Sequence, residues 1–402
     1  MALRYWTGNA TPTSFNWNYN VGGITNWGSA SGVADNVAPP TAADDVIFDG
    51  AGVKGNSNNI VSANITILSV TFTAGYTANA NIANNILLTV AGNFTDNPAH
   101  TWTVGNTVSR LVISATSTIT TNGRSFPGSV LFLNTNTKTI VGNFTILGGL
   151  FVNDILAGQT TTINRTTAEE IICNGLSSGF NSNIQGTITL RITGGAIVFQ
   201  GGGNNLTFTN ILFDGNISSA TGNLIFGGSL LRWVSGTFPV STLSLRVLGT
   251  TTLETNPIIF NNFDMNVNSI ITLNTTLNVA GTFAPGSSAG SFPFIGVAGF
   301  DIGTFTPSST TGAPLILRNG NTYVIRNITG GSNGAAPIQS DSATLRSNLI
   351  LRPGGSCNTR VNFTRINATG GRVIDTWNGV VTDCINVRSY TDLQTVASFT
   401  IN

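Results

Sequence analysis

From residue 60 onward, short runs alternate apolar and polar residues. Ile65-Thr66-Ile67 precedes Val70-Thr71-Phe72, and later come Ile188-Thr189-Leu190-Arg191-Ile192, Leu243-Ser244-Leu245-Arg246-Val247 and Phe263-Asp264-Met265-Asn266-Val267. A period of two places Ile, Leu, Val and Phe on one face of an extended chain and Thr, Ser or Asn on the other, as a half-buried β-strand requires. Gly and Asn punctuate the runs and supply the positive-φ corners that tight turns need.

The runs also repeat imperfectly. Val90-Ala91-Gly92-Asn93-Phe94-Thr95 returns as Val141-Gly142-Asn143-Phe144-Thr145 and again as Val279-Ala280-Gly281-Thr282-Phe283. These offsets fit about two and about six turns of a coil of roughly 20–25 residues, a solenoid period. A stack of β-sandwiches would carry more Asn-Gly or Asp-Gly hairpin signals than this chain does. The expected fold is all-β: a right-handed parallel β-helix with an N-terminal cap and a distinct β-rich C-terminal region.

Composition narrows the picture. Charged residues make up 8% of the chain and hydrophobic ones 41%, so core material is ample while charge is scarce beside the ~25% of an ordinary domain. There are 49 Asn, 58 Thr and 47 Gly but only three Glu and two Lys. Helix surfaces need Glu, Lys, Arg, Gln and Ala, so helices are largely excluded. Asn and Thr suit a coil, because equivalent side chains in successive turns stack into hydrogen-bonded ladders. Regularly placed aliphatics and 23 Phe argue against disorder.

Two stretches break the pattern and divide the chain. Residues 1–50 hold three of the six Trp and do not repeat; they are expected to form a Trp-rich cap or docking segment. Residues 51–283 are the expected shaft, and 284–312, rich in Gly, Ser and Pro, the expected junction. Charge changes sign across it: residues 1–312 carry nine Lys plus Arg against twelve acids, and residues 313–402 carry eight Arg against four Asp. The Arg-rich 313–402 is therefore expected to be a separate functional region.

A solenoid's first coil exposes an apolar cross-section and a strand edge that must be covered. Trp6, Trp17 and Trp27 can shield that end, while Asp44 and Asp45 can accept backbone N–H bonds. The same Trp residues are also candidates for a docking surface, since Trp is enriched at binding hot spots. Arg318, Arg326, Arg346, Arg352, Arg360, Arg365, Arg372 and Arg388 are the candidate interface residues. Spaced Arg without Lys or interleaved aromatics suits protein contacts better than nucleic acid.

Catalytic chemistry finds little footing. Glycoside hydrolysis needs two carboxylates roughly 5–9.5 Å apart, which on a solenoid means acids about one coil apart. Most gaps between acids are longer; Asp154 with Glu169, or Glu254 with Asp264, could meet only through a loop, and the adjacent Glu169 and Glu170 would face opposite sides. The lone His100 can support neither a triad nor a His-based metal site and is expected in a loop. No catalytic, metal or cofactor site is expected. Cys173, Cys357 and Cys384, odd in number and widely spaced, are expected to be half-buried thiols rather than a disulfide framework. The opening Met1-Ala2-Leu3-Arg4-Tyr5-Trp6 does not read as a secretory signal, and no apolar run approaches a membrane span.

The opening also matches a known pattern. Arg4-Tyr5-Trp6-Thr7-Gly8, then Asn16-Trp17 and Asn26-Trp27, then Pro39-Pro40-Thr41-Ala42-Ala43-Asp44-Asp45-Val46-Ile47-Phe48-Asp49 resembles the start of phage and prophage parallel β-helix structural proteins of fibre or spike type. Large bacterial surface adhesins share a looser form. Val361 to Gly371, Asp375-Thr376-Trp377 and Cys384-Ile385-Asn386-Val387 resemble the last coils of the same proteins. The first element here lacks the usual second Gly. The resemblance covers the two ends of the chain, and the middle matches only in style. It implies a parallel β-helix with a virion or surface role and carries no catalytic residues.

The expected function is that of a non-enzymatic phage virion subunit (fibre, spike or decoration) serving attachment. It would be assembled in the host cytoplasm, then extracellular, with neither nucleic acid nor membrane insertion. A homotrimer is the expected assembly, with other virion proteins and a cell-surface glycan or protein receptor as partners. A bacterial surface adhesin and a carbohydrate-active β-helix enzyme are the alternatives.

Overall fold

In the computed structural model of the 402-residue chain, the residues described below are 2–10, 14–52, 54–152, 159–179, 182–200, 204–239, 242–266, 268–285, 290–307, 314–329, 337–357, 360–371, 373–377 and 381–390. Among them there is no helix. Short strands stack in parallel, turn upon turn, as a β-solenoid. The chain divides into two compact units: residues 1–219 with 235–237, and residues 220–234 with 238–402.

In the first unit the alternation read from the sequence decides what faces in. Val46, Val70, Phe94, Ile119 and Ile140 are successive Cα partners in parallel register, each one solenoid turn after the last. All five are essentially inaccessible to solvent. A second stack runs through Ile65–Ile67, Leu87–Val90, Arg110–Ile113, Ser129–Phe132 and Leu150–Val152. A third begins with Asn59–Val61, Asn79–Ile82 and Thr101–Val104. Each inward Ile, Leu or Phe contributes about 1.5–3 kcal/mol of hydrophobic stabilisation. Corners between strands use left-handed residues, Asn85 (φ 59°), Asn122 (φ 50°) and Asn134 (φ 67°) among them.

Outward positions carry the polar ladders. Thr71 lies beside Thr95, and Thr95 beside Thr120. Asn79 and Asn81 each donate Nδ2 to Thr103 Oγ1 of the next turn, at 3.0 and 2.6 Å, and Gln185 Nε2 donates to Thr162 Oγ1 at 3.1 Å. The bonds run between turns, so the low charge of the sequence costs the surface little cohesion.

The second unit repeats the design with Phe. Leu224, Leu245, Phe263, Phe283, Phe305 and Ile328 are successive partners, again one per turn. The expected junction at 284–312 lies inside this unit. Its strands Phe292–Gly296 and Phe300–Phe305 pair on both sides, with Ile271–Leu273 and Leu315–Leu317 and with Leu277–Phe283 and Thr322–Ile328 respectively. The division between units falls near residues 220–238. Residues 286–289 and 308–313 lie outside the described residues. Gly, Ser and Pro mark a linker and a solenoid corner alike, which is why composition alone points to a break at 284–312.

Candidate functional site

The N-terminal residues form an aromatic plug. Strand Leu3–Trp6 pairs in parallel with Asp45–Phe48 and antiparallel with Trp27–Gly28, which places Trp6 opposite Trp27. The Trp6 and Trp27 rings meet edge to face at 5.3 Å, Trp17 meets Trp27 at 5.6 Å, and all three lie on Phe48, which stacks on Phe72 at 4.5 Å. Their indole N–H groups are satisfied internally: Trp17 donates to Asn59 Oδ1 (2.7 Å), Trp27 to the Trp17 carbonyl (2.6 Å) and Trp6 to the Ser57 carbonyl (3.2 Å). The three side chains are at most 1% exposed. Burial places these indoles out of a partner's reach, so a docking surface at this end would use other residues, such as the exposed Val21 and Ile24.

Asp44 accepts hydrogen bonds from the Thr41 N–H and hydroxyl, both at 2.9 Å, and lies 3.6 Å from Arg4 Nε. Burial disfavours its charge, but these partners outweigh burial and hold the carboxyl below its ordinary value. Asp45 accepts from the Ser69 hydroxyl of the next turn. Asp44 serves a backbone N–H and a hydroxyl as expected, whereas Asp45 accepts from a hydroxyl of the next turn and, among the described residues, not from the expected backbone N–H.

His100 sits at a bend before strand Thr101–Val104, outside any strand, yet its side chain turns into the core and is 1% exposed. The ring stacks on Phe72 at 4.3 Å and lies 5.6 Å from Tyr76 and 5.5 Å from Trp102. Nδ1 lies 2.9 Å from the Asn97 carbonyl, which assigns the proton to that nitrogen. Nε2 faces Asp96 Oδ1 at 3.4 Å, while Asp96 Oδ2 accepts from Trp102 Nε1 at 3.0 Å and lies 3.9 Å from Arg124 Nε. Burial pushes Asp96 up to about 6, against the pull of Trp102 and Arg124. Burial, with the Arg124 charge, pushes His100 down to about 4. With both groups sealed from solvent, the cluster is core polar chemistry.

The coil-spaced acids are held by arginines. Arg191 bridges Glu170 on one neighbouring turn and Asp214 on the other, at 3.0 and 2.7 Å. In the second unit Arg232 pairs with Glu254, and Arg246 with Asp264 at 3.3 Å. Glu169 turns inward and accepts from Thr166 and Thr167 hydroxyls and the Thr167 N–H. Asp154 lies outside the described residues. Among the described residues no three His, Cys, Asp or Glu converge as metal ligands. No disulfide joins the cysteines: Cys357 and Cys384 are half-buried thiols, and Cys173 is fully buried. No described helix is long and apolar enough to cross a membrane.

The C-terminal arginines separate into two groups. Arg346 pairs with Asp383 and Arg352 with Asp301, while Arg365 Nε donates to the Ser342 carbonyl at 2.6 Å. Arg318, Arg326 and Arg360 are exposed and have no ion pair among the described residues. Arg372 and the side chain of Arg388 lie outside the described residues. Only the structure separates these groups, since the acids that occupy Arg346 and Arg352 are 37 and 51 residues away. Comparison with models of known protein families, with curated proteins and with solved structures returned no match.

Proposed function

We propose that this protein is a structural subunit of a phage particle, a fibre, spike or decoration protein that serves attachment and assembles as a homotrimer. The supporting observation is a parallel solenoid whose outer faces are hydrogen-bonded Asn/Thr ladders and whose first coil is closed by a sealed Trp plug. Such a coil presents extended, weakly charged surface, and its coil-spaced acids serve as rungs to arginine. Arg318 and Arg360, without an ion pair among the described residues, form the contact between copies.

Mass spectrometry of particles purified from the culture that encodes the chain tests the location. The protein is expected in the particle fraction; its presence only in the cell envelope would replace the virion reading with a surface adhesin. Sedimentation of the Arg318→Glu/Arg360→Glu variant tests the contact. A shift from trimer to monomer is expected, and an unchanged trimer places the interface elsewhere.

A further inference from the structure

The second unit holds a groove of about 350 Å³, lined by polar and apolar residues alike, beside Arg326. It originates in a register shift. Strand Leu277–Phe283 pairs with Phe300–Phe305 as Val279↔Ile302 and then Thr282↔Thr304, so Ala280 and Gly281 together oppose Gly303. The chains approach so closely that a Cβ on Gly303 would meet the Ala280 carbonyl oxygen at 2.1 Å. Gly is therefore required at 303, and the floor of the groove is nearly bare backbone. On the following turn Ile302 pairs with Ile325 and Thr304 with Asn327, which sets Arg326 against Gly303.

The walls add a specific set of groups. Ile259, Asn278 and Asp301 occupy one outward rank on three successive turns. Ile259 is 43% exposed, a large apolar side chain left in water. Asn278 spends its Nδ2 on Asn256 Oδ1 (3.2 Å), and its Oδ1 accepts no hydrogen bond from the described residues. Arg352 reaches over to Asp301 and occupies part of that carboxylate. Arg326 lines the same groove, its guanidinium without an acid partner among the described residues. The groove thus offers one unspent planar cation, one open amide acceptor, a half-engaged carboxylate and an apolar wall.

We propose that this groove binds an acidic sugar residue of an anionic polysaccharide, its carboxylate on Arg326, its hydroxyls on Asn278 and Asp301, and its apolar face against Ile259. A guanidinium matches a carboxylate in bidentate geometry. The Asp301 carboxylate accepts hydroxyl hydrogens but repels a multiply charged phosphate chain. Among the described residues no aromatic lines the groove, so a nucleotide base has no stacking platform there. The volume, at the lower end of small-ligand sites, suits one or two sugar rings. The inference deepens the attachment reading and rests on it only for the biological source of the glycan.

Titration calorimetry on the full-length protein with trigalacturonate tests it, with maltotriose as the neutral probe and inorganic phosphate as the anion control. Trigalacturonate is expected to bind, at least tenfold tighter than either control, and more weakly as salt is raised. Arg326→Ala should weaken it at least tenfold and Arg326→Lys should recover part of the loss. Arg165→Ala, in the first unit and outside the groove, should leave affinity unchanged. Equal binding of maltotriose or phosphate, no binding of trigalacturonate, or an indifferent Arg326→Ala would each overturn the proposal. Particle fractionation of the wild type separates the two readings: a wild-type protein that enters the particle yet does not bind trigalacturonate removes the groove and leaves the virion role intact.

Discussion

The two units solve the same packing problem and handle charge in opposite ways. The first buries it: Asp96, His100 and Lys138 are each at most 2% exposed, and Asp44 and Glu169 are nearly as deep. In the second unit no charged side chain among the described residues is buried; its inward ranks are Leu, Ile and Phe, with the Phe283 ring in contact with those of Phe294, Phe300 and Phe305. Lys138 shows how an inward position tolerates charge. It occupies the rank that Ile163 fills on the next turn, and its Nζ donates to the carbonyls of Ala115 and Leu133 and to Asn136 Oδ1. Loop carbonyls at the corners of the coil act as the counter-charge. The first unit should therefore respond to pH, and the surface of the second to salt.

The largest effect should come from the plug. Trp27→Ala removes the ring that joins Trp6, Trp17 and Phe48, and a buried Trp→Ala change costs about 3–5 kcal/mol. Urea denaturation should show that loss, together with a greater tendency to aggregate as the coil end is uncovered. Arg326→Ala in the second unit should change stability by less than about 0.5 kcal/mol, as surface substitutions do. Comparable losses in the two variants would dissolve the contrast between a sealed end and an open surface.

Lys138 sharpens the comparison through pH. Burial pushes its ammonium down to about 7 from an ordinary 10.5. Between those values the unfolded chain holds a proton that the folded chain has released, so stability rises with pH, by at most about 1.4 kcal/mol per unit. Cys173, pushed up to about 12 by burial, acts in the other direction above its ordinary value of 9, which sets the useful window at about pH 7 to 8.5. Wild-type urea midpoints should climb across it, and those of Lys138→Met should stay flat. An equal climb in the variant would assign the effect to another group.

The Asp96–His100 pair hides its own pH dependence. Asp96, raised to about 6, adds stability below its ordinary 3.8 that is lost as pH rises through 6. His100, lowered to about 4, adds stability above its ordinary 6.5 that is lost as pH falls through 4. Across pH 4 to 6 the two slopes oppose each other, with Arg124 permanently charged beside them and Tyr76, its phenol raised by burial, neutral. Asp96→Asn removes one slope. Its stability should rise between pH 4 and 6.5, by less than about 1.4 kcal/mol per unit, while the wild type changes little. Parallel profiles would show that the two groups do not offset each other.

Strands and corners were legible because both are local. Ile65–Ile67, Ser69–Phe72, Ser244–Val247 and Phe263–Met265 all fall on alternating runs, and inward Val70, Phe72, Leu245 and Phe263 follow the expected face. Partner spacings such as Leu245↔Phe263 and Tyr323↔Leu349 fall just below and just above the expected coil length. What failed depends on which residue sits one turn away. The repeated Gly-Asn-Phe motif suggested equivalent positions, yet Phe94 stacks with Val70 and Ile119, whereas Phe144 belongs to another face and pairs with Ile171. His100 looked solitary because Phe72 and Arg124 each lie about one coil away from it along the chain. The fate of each C-terminal arginine was equally hidden, since alternation gives the face of a side chain and not the residue above it.

The Arg191 ladder should give the smallest effect, and it tests whether the surface charge of the first unit behaves as that of the second does. Arg191 lies between Glu170 and Asp214, each on an adjacent turn, and all three side chains are 26% exposed. Hydrogen bonds from Ser235 and Arg191 hold Asp214 below its ordinary value. Partial exposure screens the attraction, and exposed pairs contribute about 0.2–1 kcal/mol. Arg191→Ala leaves two carboxylates about two turns apart, or roughly 10 Å, near enough to repel weakly at low salt and screened at about 0.15 M. The variant should lose up to about 1 kcal/mol in dilute buffer and less in salt, with Glu170→Gln/Arg191→Ala recovering part of the loss. A loss of several kcal/mol that ignores salt would mean that the guanidinium stem packs as core, and would place Arg191 with the buried charges of its unit.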